Sequence, residues 1–421
     1  MTRILLISEF FPTDLRTSVF GAFRRLGMFI EALKSIGHLD MLFYVSPDTD
    51  TSPAAVSTME SRLSSHWTAR LSLFLCPVLQ SRRQLRLTER LLLAGRCVLS
   101  GTVSFFPQRV SLRTSGTRQV RAFEELLDRE PDLIFAHTLG AMCPVLLSRR
   151  PLPPVFLDLV DLEHVKLRRY ASRASDWRRK LSSLPLQRVL LRGEYRSIRL
   201  ARRTFVCSDL DRDRLMRRWP LSRIVTLPNA VSMPSLEPLP AAPTLLFLGT
   251  FNYWPNVDAV EFLIRDVWPR VRSVIPEARL RIAGLHPEKI PLNRIFPGVE
   301  FLGFVDDLAA LYRESRVVCC PIRMGGGTRI KILEAAAFGR PIVATTIAAE
   351  GLDMAEGREL LIRDDAASYA TACLNLLRDP VLCEQLASAA RAKVEDQYDR
   401  GPMVARIERQ IREALSIDQR S

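Results

Sequence analysis

The stretch Cys319-Cys-Pro-Ile-Arg-Met-Gly-Gly-Gly-Thr-Arg-Ile-Lys-Ile-Leu-Glu-Ala-Ala-Ala-Phe-Gly-Arg-Pro341 sets three consecutive glycines between an apolar run and a helical pattern. The apolar run, Val317–Cys320, suits a buried strand. Thr328 can cap the helix predicted over Thr328–Phe338, which closes at Gly339 before Pro341 enters a further strand. Residues without side chains let backbone N–H groups approach an anion. A helix start adds unpaired N–H groups and the positive end of its dipole. Arg323, Arg329 and Lys331 surround Gly325, Gly326 and Gly327 with fixed cations. Glu334 follows Lys331 by one helical turn and shares its face, where a carboxylate can accept two ribose hydroxyls. One end of the stretch fits a diphosphate and the other a sugar diol, which together describe a nucleoside diphosphate. The plainer alternative is a flexible loop before a helix with an internal Lys–Glu pair. The spacing is not that of a Walker loop. No G-x-G-x-x-G follows the first strand, which argues against a dinucleotide dehydrogenase.

Outward from this window the chain alternates strands and helices. After it, helical patterns run over Ala366–Leu377, Val381–Asp396 and from Pro402 to Ile417. Before it, strands are predicted at Thr244–Gly249, Arg279–Gly284 and Val299–Leu302, with a helix over Asn256–Val274. Five prolines between Leu227 and Pro243 mark a linker, because proline cannot donate to a sheet and interrupts helices. Ahead of it lie apolar runs at Ile4–Ser8, Leu39–Val45, Asp132–Ala136, Val155–Asp158, Thr204–Cys207 and Ile224–Leu227. Helical patterns at Phe20–Ile36 and Ser175–Ala201 separate some of them. The expected fold class is α/β: two Rossmann-like doubly wound parallel sheets facing a central cleft, with ligands outside the carboxyl ends of the strands. The expected division is an N-terminal acceptor-side domain over 1–230 and a hinge over 231–243. A nucleotide-sugar-binding domain follows over 244–395, and a C-terminal helix over 396–421 packs back toward the N-terminal domain.

With 421 residues, 47% hydrophobic and 25% charged, the chain is neither disordered nor a disulfide-stapled miniprotein. Its 60 Lys and Arg against 46 Asp and Glu leave a net charge of +14. Residues 62–121 carry +10 of this and residues 165–203 carry +11, so the remainder is acidic at −7. A local basic surface points to an anionic partner. Leu71–Leu79 and Leu91–Ala94 alternate with Arg82, Arg83, Arg86, Arg90 and Arg96, a pattern that suits a helix lying in a membrane interface. An ordinary core-facing helix with a solvated arginine face is the equal alternative. Eight cysteines without a CxxC pair read as reduced, buried thiols. Met1–Glu9 reads as a first strand rather than a signal peptide, and no apolar run approaches the roughly 18 residues of a membrane span. The expected location is cytoplasmic, with peripheral docking on the cytoplasmic face of a membrane as the hypothesis for the basic surface.

The window and its surroundings resemble the retaining nucleotide-sugar glycosyltransferases of glycosyltransferase family 4, which have the GT-B fold. The supporting pieces, in order, are Leu227-Pro-Asn-Ala-Val231, Phe247-Leu-Gly-Thr-Phe-Asn-Tyr-Trp-Pro-Asn-Val257, Arg281-Ile-Ala-Gly284, Val299-Glu-Phe-Leu-Gly-Phe-Val305, the glycine window, Ala349-Glu-Gly-Leu352 and Leu376-Leu-Arg-Asp-Pro380. The resemblance implies transfer of a sugar from a nucleotide diphosphate-sugar to an acceptor hydroxyl with retention, in polysaccharide or glycolipid synthesis. Glu334 matches the second glutamate of the family's E-x7-E pattern, which binds ribose. Gly326 stands where the first would fall, as in a GGGTR-type subgroup whose loop amides take over part of the work. The basic residues often seen after the first C-domain strand are absent. Thr250, Asn252 and Asn256 occupy that loop, with Gly249, Thr250 and Asn256 among the donor contacts, and the diphosphate charge moves to Arg329 and Lys331, with Arg323 behind them. Glu350 joins the donor contacts. His137 matches the N-domain histidine near the donor sugar and is paired with Glu334 as a catalytic candidate. Gly21, Asp158 and Asp161 are placed on the acceptor side, with N-terminal helix capping the alternative for Asp158 and Asp161 and the favoured role of Asp161, and Arg24 and Arg25 either assist the first loop or lie on helix surface.

The D-x-D triplets at Asp48/Asp50, Asp209/Asp211 and Asp211/Asp213 read as caps and solvated loops rather than metal ligands, so neither metal nor cofactor is expected. The expected partners are a nucleotide-sugar donor, a carbohydrate or lipid-linked acceptor and an anionic membrane surface, with no nucleic acid. The rival readings are a GT-B-fold nucleotide-sugar epimerase, a catalytically silent scaffold of that fold, and a basic nucleic-acid-binding protein. Sparse aromatics in the basic stretches weigh against the last.

Overall fold

The structure, a computed structural model, describes residues 2–17, 21–78, 116–173, 177–221, 223–291 and 296–416, together with 88, 91–92, 95, 104–106 and 109–111. It divides into two compact units. The N-terminal unit extends to Leu227 and takes back the chain from Val404, and the C-terminal unit runs from Pro228 to Met403.

The N-terminal unit is built on β1 (Thr2–Ser8), β2 (Gly37–Val45), β3 (Leu71–Pro77), β6 (Leu133–His137), β7 (Val155–Leu159), β8 (Arg203–Val206) and β9 (Ile224–Thr226); β4 (Ser104–Phe106) and β5 (Arg109–Ser111) form a separate antiparallel pair. The main sheet is parallel throughout, in the order β3-β2-β1-β6-β7-β8-β9. Parallel strands are covered on both faces, which is why β1 and β6 read as unbroken apolar runs. The strand order reverses between β1 and β6, and there Ser8 pairs with His137 and His137 with Asp158, all at carboxyl ends. The returning helix Arg400–Ser416 buries Ile407, Ile411 and Ala414, and Arg412 Nη2 donates to the Ser35 carbonyl at 3.0 Å.

The C-terminal unit repeats the plan with β10 (Thr244–Leu248), β11 (Arg279–Ala283), β12 (Val299–Gly303), β13 (Val317–Cys320), β14 (Ile342–Ala344) and β15 (Leu361–Ile362), parallel in the order β12-β11-β10-β13-β14-β15. Its reversal lies between β10 and β13, so the glycine loop that leaves β13 sits at the switch point, where open α/β sheets bind ligands.

Three expectations need correction. Leu71–Pro77 is not helical: it pairs in parallel with β2, with Leu71, Leu73 and Cys76 buried. The arginines at 82, 83, 86, 90 and 96 lie outside the described residues. The helix expected over Asn256–Val274 instead starts at Trp254, widens to a π-turn at Leu263–Val267, and resumes as Trp268–Arg272. Pro269 has no N–H for the ladder at that point, which accounts for the interruption. Thr328 caps nothing, since the helix Ile330–Ala337 takes Arg329 as its N-cap without a side-chain hydrogen bond. The carbonyls of the proline-rich stretch are held by arginine side chains. Arg340 donates to the Pro238 carbonyl at 3.1 Å and the Glu237 carbonyl at 2.7 Å, Arg316 to Pro240 at 3.3 Å, and Arg391 to Pro234 at 2.8 Å. Arginine side chains thus satisfy carbonyls that a proline chain cannot place in a ladder.

Candidate functional site

In the C-terminal unit the site grows from the tips of β10 and β13. Gly325 and Gly327 adopt φ of +113° and +66°, a region open to glycine at little cost. A Cβ on Gly325 would meet both the Arg329 guanidinium and the Tyr253 hydroxyl at 2.9 Å, so these two side chains lie directly over the loop. Arg329 folds back on it. Nη1 donates to the Gly326 carbonyl and Nη2 to the Met324 carbonyl at 3.3 Å, while Nε is buried and has no hydrogen-bond partner among the described residues. Thr328 Oγ1 accepts from Asn229 Nδ2 at 2.8 Å, tying the Leu227-Pro-Asn-Ala-Val231 segment to the loop.

Lys331 reaches from the first turn of the helix to the end of β10. Its amine donates to the Leu248 carbonyl at 2.5 Å and to Asn256 Oδ1 at 3.0 Å, and lies 4.5 Å from the centre of the Phe247 ring. Asn256 Nδ2 in turn donates to the Thr250 carbonyl at 2.8 Å, and a Cβ on Gly249 would meet the Asn256 carboxamide at 2.8 Å. The stem of Lys331 keeps some exposure while its amine is enclosed. Burial pushes that amine down from 10.5 to about 8, and Arg329 adds to the effect. The structure therefore brings Gly249, Thr250, Asn256 and Lys331 into one cluster, joined to Gly325, Gly326 and Arg329 through Tyr253. Arg323 is directed elsewhere: it grips Asp258 at 2.6 and 2.9 Å and lies 4.6 Å over the Phe262 ring. Glu334 lies partly exposed on the helix Ile330–Ala337, and Glu350 is half-buried at the end of Thr346–Ala349.

In the N-terminal unit His137 is wholly buried. Its Nδ1 lies 3.0 Å from Asp158 Oδ2 and its Nε2 3.1 Å from the Ala22 carbonyl, so both ring nitrogens face protein acceptors. Asp158 also receives Arg25, from Nε at 2.9 Å and Nη2 at 2.6 Å. Burial pushes the Asp158 carboxyl up, but the Arg25 guanidinium and the His137 ring outweigh it and hold it below the usual carboxylate range. Arg25 Nη1 continues to the Leu227 carbonyl at 2.8 Å. Arg25 is thus neither loop assistant nor helix surface. The signal for this was its place on the apolar face of Gly21–Lys34, one turn before Phe29. Gly21 opens that helix and is exposed.

Asp161 pairs with Lys166 at 3.4 Å, and Lys166 reaches Glu163 at 2.6 Å. The first turn of the helix Glu163–Arg173 is capped from a distance: Glu194 Oε1 accepts from the backbone N–H of His164 at 3.2 Å. No sequence spacing linked His164 to Glu194. Among the D-x-D residues, Asp209 accepts from Thr226 Oγ1 and Asp211 from Ser208 Oγ, and among the described residues no cluster of metal-ligating side chains occurs.

Residues 242–379 match the family described as Glycosyl transferases group 1. A phosphatidyl-myo-inositol mannosyltransferase of Mycobacterium leprae is 30% identical over 213 residues, which is 46% of this chain and 56% of that protein. The chain thus spans about half the length of the curated relatives it matches. Among solved structures, sucrose-phosphate synthase from Thermosynechococcus elongatus superposes with a TM-score of 0.68 at 17% identity, covering 99% of this chain and 100% of that one. Anabaena Alr3699/HepE in complex with UDP gives 0.63 at 15% identity, with the same coverage. Residues 242–379 thus match glycosyl transferases group 1, and the chain as a whole has the two-domain, Rossmann-like GT-B fold.

Proposed function

We propose that the protein is a retaining glycosyltransferase of the family 4 type, moving a sugar from a nucleotide diphosphate-sugar to the hydroxyl of a carbohydrate or lipid-linked acceptor. One observation carries this reading: the glycine loop stands at the switch point of the C-terminal sheet, with Arg329 and Lys331 beside it and Glu334 on the helix it opens. Loop amides, helix start and cations form a preorganised positive field for a leaving diphosphate, the kind of electrostatic stabilisation that serves without a metal. Glu334 holds the ribose diol. The bound UDP of Anabaena Alr3699/HepE and the mannosyl transfer named for the mycobacterial relative support the donor class. His137 acts from behind, fixing the tips of β6 and β7 together with Asp158. The enzyme works at the cytoplasmic face of a membrane, held there by its basic surface.

Calorimetry with UDP, GDP, ADP and CMP tests the donor site. One nucleoside diphosphate is expected to bind preferentially, with affinity falling about tenfold in Glu334→Ala on loss of roughly 1.4 kcal/mol of charge-assisted hydrogen bonding. A folded wild type that binds none of the four would overturn the reading.

A further inference from the structure

Lys331 is held by a residue far from it in sequence. Asn256 lies in the first turn of the helix Trp254–Phe262 and is buried. Each end of its carboxamide is committed to a protein partner: Oδ1 accepts from the Lys331 amine at 3.0 Å, and Nδ2 donates to the Thr250 carbonyl at 2.8 Å. Only this orientation pairs both ends, because a flipped amide would set its NH2 against the ammonium and its oxygen against the carbonyl. Gly249 leaves the room for it: a Cβ there would lie 2.8 Å from the carboxamide carbon, 2.9 Å from its nitrogen and 3.1 Å from its oxygen. An ammonium has three N–H bonds. Two go to Asn256 and the Leu248 carbonyl, and among the described residues no further oxygen accepts the third. Of the titratable groups around the amine, Arg329 repels it, and the Cys320 thiol of β13 is pushed up by burial and carries no charge. Asp258, two residues beyond Asn256, is taken by Arg323. The acceptors that hold Lys331 are therefore neutral.

We infer that Asn256 is a positioning residue rather than a donor contact: it fixes the Lys331 ammonium at the tip of β10 and, being neutral, leaves that charge to a diphosphate. This rests on the donor-site reading above. A diphosphate oxygen takes the third N–H while the two neutral oxygens keep the amine in place, and no ion pair has to break first. An aspartate at 256 would do neither job. A carboxylate cannot donate to Thr250, and it would pair with the ammonium and repel the incoming anion.

The test is a double-mutant cycle read by calorimetry with UDP, GDP and ADP at pH 6.5 and 9.5. Asn256→Leu is expected to weaken the preferred nucleoside diphosphate about tenfold at pH 6.5, the loss of one well-placed charge-assisted contact. In a Lys331→Met background the same change is expected to cost less than about twofold, because the residue it acts through is gone. Asn256→Asp keeps the size of the side chain and decides the point if the leucine variant does not fold. Its carboxylate holds Lys331 protonated, so its affinity is expected to be low at both pH values, without the fall between them that wild type shows. An Asn256→Leu that binds like wild type overturns the assignment. An equal loss with and without Lys331 also overturns it, since that marks a direct ligand contact or a packing role, and so does an Asn256→Asp that keeps the wild-type pH step. Each of these leaves the donor-site reading standing. A folded wild type that binds none of the three nucleotides overturns that reading, and the assignment with it.

Discussion

Lys331 combines a cation with a strong incentive to lose its charge. Its amine is held by two neutral oxygens and an aromatic face, and burial leaves it with a pKa of about 8. A diphosphate arriving there meets the protonated form at pH 7 and the neutral form above pH 9. Nucleoside diphosphate affinity is therefore expected to fall as pH rises through about 8, by roughly tenfold if one charge-assisted contact is lost, and Lys331→Met should bind weakly with no such step. Calorimetry at pH 6.5 and 9.5 reads this directly. The sign for stability is opposite. Between about 8 and 10.5 the unfolded chain holds a proton that the folded one has released, so the unliganded protein gains stability with pH across that window. At this scale the sequence was legible where chemistry follows from local spacing, as with the glycines, Arg329 and Lys331. It was silent where a partner comes from far along the chain, as with Arg25 and Asp158 or His164 and Glu194.

At the scale of elements, the Arg25–Asp158–His137 cluster fastens the helix Gly21–Lys34 to the tips of β6 and β7. Removing one member of a buried ion pair leaves the other charged and unpaired, which typically costs about 3–5 kcal/mol. Asp158→Ala is expected to lower the unfolding free energy by about that amount in urea titration. An apolar double replacement, Arg25→Met with Asp158→Leu, should recover much of it, because both desolvation costs vanish together. The Asp158 carboxyl sits below its ordinary range, so its contribution is present above pH ~4 and is lost as pH falls through the folded value. Most strands were legible from their apolar runs, since parallel strands buried on both faces cannot be anything else for long. Leu71–Pro77 was misread because arginines downstream lent it a helical rhythm. The break at Leu263–Val267 did carry a local signal, Pro269, which the helical reading of Asn256–Val274 passed over.

Across the whole molecule the charge is the property with the longest reach. A net +14 concentrated in two segments, against an acidic remainder, favours anionic surfaces. Among the described residues no helix is long and apolar enough to cross a membrane. Each basic residue near anionic lipid contributes about 1 kcal/mol, and the Debye length falls from about 10 Å at 0.1 M salt to about 3 Å at 1 M. Pelleting with phosphatidylserine vesicles is therefore expected to be strong at 0.05 M salt and largely lost at 0.5 M, with little binding to neutral vesicles. Equal pelleting on neutral vesicles would sink the membrane proposal.

The hydrogen bond from Arg25 to the Leu227 carbonyl has a consequence for how such a chain can be recombined. The buried cation holds the last residue of the N-terminal unit, and the peptide after it begins with proline. A chimaera spliced between Leu227 and Pro228 inherits the charged cluster whole, whereas one spliced upstream parts the guanidinium from the carbonyl it serves. The donor of the front half must also supply the segment from Val404, because Ile407 and Ile411 are buried in the unit it returns to. Exchange of the C-terminal unit between such chains is therefore a two-crossover event, with one seam at the proline and the other inside the final helix.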